Sequence, residues 1–222
     1  MAVSYVGTST ASHATENVNF TIDAVAGTAD GDILIMTCQS YYSGTPTLPA
    51  GWTKFIDNEA DGATSVWWKR ASSEGATYTI DPNVGASCQI TVWRGCVTSG
   101  NPYDDTDMWN DGASGTTLRS VLEPSEAGTM GVVFGRCDTA AGPTVTPASG
   151  WTEIVDRYWA DYGQTFWMAY KELASSGSTG NIDSTLSASK TGRYTVAFCL
   201  KAAPAAGGVP EHSDYYRRRR AA

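Results

Sequence analysis

Few residues in this chain have the type and spacing that catalysis needs. Its two histidines, His13 and His212, stand near opposite ends. Neither is expected within the hydrogen-bond reach that a Ser-His or Cys-His pair requires. No Gly-x-Ser-x-Gly elbow and no phosphate-cradling loop occurs. Asp104, Asp105, Asp107 and Asp111 crowd one polar stretch, and carboxylate oxygens are what Ca²⁺ takes. The stretch lacks the calcium-loop pattern and its closing Glu, so it reads as a solvated connection. Asp57 and Asp156 fall at matching points of a repeated phrase and could pair as glycosidase carboxylates, which would also need an aromatic cleft around them. Duplication explains their equivalence more economically. The expectation is a protein that is not an enzyme, with no cofactor and no metal.

Aromatic and cationic side chains offer binding instead. Tyr41, Tyr42, Trp109, Trp159 and Tyr162 fall on or beside expected loops, where they could stack on sugars or contact another subunit. Most other aromatics, among them Trp67, Trp68, Trp93, Trp151, Trp167 and Tyr158, fall at strand positions that suit core packing. The terminal run Tyr215, Tyr216, Arg217, Arg218, Arg219, Arg220 mixes rings with planar cations. Such a run can dock on an acidic surface, touch nucleic acid, or remain a solvated end. The candidate partner-binding residues are therefore Tyr41, Tyr42, Trp109 and the six residues from Tyr215 to Arg220.

The elements that must position these residues come in two copies. Leu48-Pro49-Ala50-Gly51-Trp52-Thr53-Lys54 returns as Pro147-Ala148-Ser149-Gly150-Trp151-Thr152-Glu153. An apolar strand precedes each phrase, and an aromatic strand ending near Lys and a Thr-Val strand follow it. Matched points lie 99 residues apart at Trp52 and Trp151, 102 at Lys69 and Lys171, and 104 at Thr91 and Thr195. Insertions fall in loops, as duplication of a β unit predicts. Cys38 and Cys137 are expected in matching core places.

Strand-favouring Thr, Val, Trp and Tyr dominate, with 23 Gly for turns. The expected fold is an all-β antiparallel sandwich, jelly-roll-like, with both copies (about 17–100 and 117–203) sharing one core in a body spanning 1–203. Trp52 and Trp151 are expected in equivalent buried places, and Trp67 and Trp68 on opposite faces of one strand. Residues 100–115 read as the connection between copies, and 204–222 as a linker and flexible Arg-rich tail.

The net charge of −8 places about −10 on residues 1–203, because the tail carries four Arg against Glu211 and Asp214. That disfavours nucleic acid except through the tail. No secretory signal or membrane span is expected. The five cysteines lack zinc spacing and read as buried, reduced thiols.

One resemblance adds to this reading. The turn into an apolar strand at Ala29 to Ile33, the Pro-x-Gly-Trp-Thr phrase at Pro49 to Thr53, Trp67 to Lys69, and the strand running into Arg-Gly-Cys at Thr91 to Val97 resemble a family of tailed-bacteriophage virion proteins. These are β-sandwich components of the minor tail, fibre-like or head-decoration type. The second copy departs from the pattern, with Ala197-Phe198-Cys199 where the first has Trp93-Arg94-Gly95. The resemblance implies a structural component made in the host cytoplasm, self-associating and held in the virion by other virion proteins. The alternative is a carbohydrate-binding module for host surface glycans; a cell-envelope hydrolase is a third reading.

Overall fold

Runs of β-branched and aromatic residues, cut by Gly and Pro turns, give fourteen strands in a computed structural model that describes residues 2–14, 18–40, 46–58, 64–81, 85–138 and 142–204. No helix occurs among the described residues. One sheet has the order β1 (Ser4–His13), β7 (Ala86–Arg94), β3 (Ile33–Ser40), β5 (Thr64–Arg70), β4 (Thr53–Asn58). The other has β8 (Tyr103–Asp111), β14 (Ile182–Leu200), β10 (Thr129–Asp138), β13 (Gln164–Leu173), β12 (Thr152–Trp159). Pairing is antiparallel throughout. A ribbon of β2 (Phe20–Asp23) and β6 (Thr77–Ile80) flanks the first sheet. The second is flanked by β9 (Gly115–Ser120), the early part of β14 and β11 (Val145–Thr146).

The two halves therefore use the same strand order, and their irregularities match as well. β4 slips register between Lys54 and Ile56 against β5, and β12 slips between Glu153 and Val155 against β13. Each edge strand carries its extra residue, Phe55 or Ile154, two positions past Gly-Trp-Thr, where a bulge sharpens the local twist.

Burial divides into three layers of contact. Ile33, Ile35, Val66 and Trp93 of the first half meet Val132, Phe134, Met168, Val196 and Phe198 of the second, forming one core between the sheets. Outside the first sheet, Ile22, Tyr78 and Ile80 cover Leu34, Met36 and Val92. Outside the second, Leu118, Ile182 and Leu186 cover Val133, Trp167 and Cys199. With both faces covered, β3 is buried along its whole length. That accounts for an apolar run without alternation.

Several expectations need correction. The stretch read as a solvated connection contains β8, an edge strand of the second sheet. Its acidic residues brace neighbouring backbone: Asp107, Asp105 and Asp104 accept the N–H groups of Val121, Glu123 and Ser125 at 2.8, 2.6 and 2.5 Å. No group of His, Cys, Asp and Glu among the described residues is arranged to hold a metal. The last strand, β14, is a single run that leaves the outer ribbon and enters the central sheet.

The cysteine expectation fails at one pair. Cys38 and Cys88 are joined in a disulfide, whereas Cys96, Cys137 and Cys199 are buried thiols. The pairing follows from register, since β3 and β7 set Cys38 directly opposite Cys88. Register also revises the repeat alignment. Ile33 pairs with both Arg70 and Trp93, and Met130 with both Glu172 and Leu200. Trp93 thus corresponds to Leu200, and Cys38 to Gly135. Thr91 and Thr195 face opposite sides, for Thr91 accepts from the Trp93 indole at 2.9 Å and Thr195 donates to the Arg119 carbonyl at 2.5 Å.

Trp67 and Trp68 do point to opposite faces, one in the outer layer and one against the shared core. Trp52 and Trp151 hold equivalent places, but half-buried and in the outer layers. The phrase that carries them leads into an edge strand, so their rings close the margin of a layer.

Candidate functional site

The residues singled out for chemistry are not brought together. The first sheet's β4 edge lies over β8, with Phe55 stacked on Tyr103 at 4.5 Å, and the second sheet's β12 edge lies over β1, with Arg157 donating to Ser12 at 2.9 Å. Asp57 on β4 and Asp156 on β12 therefore stand at opposite margins of the sandwich. Asp57 accepts from Lys54 and from Ser65. Asp156 accepts from the Val145 N–H at 2.7 Å, and burial outweighs that bond to raise its carboxyl above the ordinary value. His13 stacks on Phe20 with ring centres 6.2 Å apart.

Of the candidate partner-binding residues, Tyr41, Tyr42 and Tyr215 to Arg220 lie outside the described residues. Trp109 is half-buried on β8, its ring 5.3 Å from the Arg193 guanidinium. Arg193 is buried and bonded to Asp111, to the Ala113 carbonyl and to the Thr117 carbonyl, so one face of Trp109 covers a structural ion pair. Trp159, expected at the surface, is buried in the shared core and meets Tyr162 edge to face at 4.7 Å. Tyr162 in turn donates its hydroxyl to the Ala14 carbonyl. Tyr158, expected inside, is exposed.

The motif residues behind the family resemblance hold the scaffold. Asp32 is buried and takes both Nε and Nη2 of Arg94, at 2.9 and 2.8 Å, while also capping the Ala29 N–H. Arg94 additionally bonds the Gly27 carbonyl. Together they tie the turn before β3 to the end of β7.

Sequence reading missed a groove on the outer face of the second half. It is an open cavity of about 550 Å³, within the range of small-ligand sites, lined by Trp151, Lys171, Leu173, the Ser175–Thr179 loop, Asn181 and Asp183. Gly150, at φ +80°, turns the chain so that Trp151 and Lys171 share one wall; a methyl group there would stand 3.2 Å from the Lys171 ammonium. Gly131 lets Trp151 seat deeply, since a Cβ on it would meet the indole at 2.9 Å. Asp183 is neutralised by bidentate Arg119, at 2.7 and 2.8 Å, which lowers its pKa. Glu172, adjacent to Lys171 on β13, also borders the groove but forms no ion pair with Lys171. Among the described residues Lys171 has no carboxylate partner.

The matching place in the first half is filled. Tyr78 meets Trp52 edge to face at 5.6 Å, and its hydroxyl donates to Glu74 at 2.8 Å. Lys69 donates to the same Glu74 oxygen at 2.7 Å and lies 5.7 Å from the Tyr78 ring centre. Burial opposes charge on Glu74, but bonds from Lys69, the Ser72 N–H and Tyr78 prevail and lower its pKa. A depressed carboxyl contributes stability above its unfolded pKa and loses it as pH falls through the folded value. Glu74→Gln should therefore flatten the acid limb of the stability curve below about pH 4.5, measured by urea melts across pH. An unchanged limb would mean that this cluster does not hold in solution.

No protein-family model, curated protein or solved structure matches the chain.

Proposed function

We propose that the protein is a non-enzymatic structural component of a bacteriophage virion, of the minor tail, fibre-like or decoration type, held by contacts with other virion proteins. The observation that supports this most is the use of the motif residues. Asp32, Arg94, Gly51, Gly150 and the two edge bulges all fix strands and turns, which suits a rigid building block. The acidic body and the Arg-ending tail have complementary charge, so the tail is the natural assembly contact. Deleting residues 209–222 is expected to leave the unfolding transition unchanged and to lower the copy number in purified particles. Normal incorporation of the truncated protein would overturn the tail's role.

A second reading, recognition of host surface glycans, is favoured by the groove. It combines one indole with hydroxyl and amide groups, the composition that sugars stack on and hydrogen-bond to. Trp151 joins Tyr41, Tyr42 and Trp109, the aromatics first considered for this role. Glycan-array binding that Trp151→Phe weakens and Trp109→Phe leaves intact would support it. Binding indifferent to Trp151 would remove the groove from consideration.

A further inference from the structure

We infer that the Trp151 groove receives a carboxylate-bearing sugar, an inference that rests on the glycan reading and specifies its ligand. The first half of the molecule displays what belongs in such a place. There a ring lies against Trp52 and a carboxylate is held by both a hydroxyl and the Lys69 ammonium. The second half keeps the tryptophan, the positive-φ glycine and the lysine, as Trp151, Gly150 and Lys171. It replaces the two residues that fill the space. By strand register Tyr78 corresponds to Ile182, because Thr47 faces Asp81 as Thr146 faces Thr185. By distance from the lysine, Glu74 corresponds to Ser176.

What remains is the half-buried Lys171, with no ion-pair partner among the described residues and with Asp183 of the lining already held by Arg119, beside an indole and an open groove of about 550 Å³. An occupant that restores the missing groups brings a ring for the indole and a carboxylate for Lys171. The rest of the lining favours a sugar over an aromatic, acidic peptide. Ser149, Ser175, Ser176, Ser178 and Asn181 offer hydroxyl and amide partners, whereas Leu173 and Ile182 are already buried beneath. A carboxylate near Lys171 gains a charge-assisted bond, which a neutral sugar lacks.

The test uses the full chain and two pairs of probes that differ in charge: tri-galacturonate against its methyl ester, and sialyllactose against lactose. Calorimetry is expected to give saturable binding to at least one acidic sugar, about tenfold or more tighter than to its neutral partner. Lys171→Met should erase that difference without altering the unfolding midpoint. The double change Ser176→Glu with Ile182→Tyr, which installs the first half's filling, should abolish binding in a folded protein. Equal binding of acidic and neutral sugars overturns the carboxylate inference and leaves the glycan reading standing. Absence of saturable binding to all four probes overturns the inference, and a silent glycan array alongside it removes the glycan reading too. Binding of a Glu-Tyr peptide in place of the sugars overturns the inference in favour of a protein partner.

Discussion

Trp93→Ala is expected to lower the unfolding free energy by about 3 to 5 kcal/mol, measured by guanidinium denaturation. The residue is fully buried in the layer between the sheets. Its ring meets Tyr5 of the same sheet at 5.4 Å and Tyr170 of the other at 5.6 Å. Its indole N–H is satisfied by Thr91 at 2.9 Å, so truncation removes a bond as well as packing. Since the surrounding backbone belongs to paired central strands, collapse around the hole is limited, and the upper part of that range is expected. Trp52→Ala should cost clearly less, because that ring is half-buried at the margin of an outer layer. Equal costs at the two positions would contradict the layer assignment. The same geometry predicts the behaviour of half the chain. Residues 1–112 alone would expose Ile33, Ile35, Val66 and Trp93 to water, so this fragment should show no cooperative transition.

How much of this was legible in the sequence depended on whether the signal was local. The Gly-Trp-Thr phrase and the Gly-rich turns are read from neighbouring residues, and they placed most strands and the shared core. β8 escaped because its aspartates look solvated, while in the fold they accept N–H groups from residues 121–125. The last strand was aligned on the Thr-Val pair, which carries no information about which side of a sheet each residue faces. Only pairing with β3 and β10 equates Trp93 with Leu200. Trp159 looked exposed because it precedes a turn, yet it folds back into the core against Phe166. The groove could not have been found by scanning for aromatics. It arises from what is missing beside Trp151, and that absence is visible only once Ile182 and Ser176 are superposed on Tyr78 and Glu74.

Loss of the Cys38–Cys88 cross-link is expected to destabilise the protein by about 4 kcal/mol, the chain-entropy value for a loop of 50 residues. Both side chains are buried in the outer layer of the first sheet, so alanine at either place would add a cavity to the lost cross-link. Reduction separates the two effects, because the dithiol keeps the volume. Air-exposed protein should therefore unfold at higher denaturant than protein held in reductant, with Cys38→Ala/Cys88→Ala at or below the reduced form and insensitive to reductant. Thiol counting checks the assignment independently. Unfolded without reductant, the chain should label at Cys96, Cys137 and Cys199 alone; with reductant, Cys38 and Cys88 join them. In the folded state none should react at neutral pH, since desolvation pushes these three thiols up to about 12, 11 and 12, respectively. Five thiols in the air-exposed, unfolded chain would refute the cross-link.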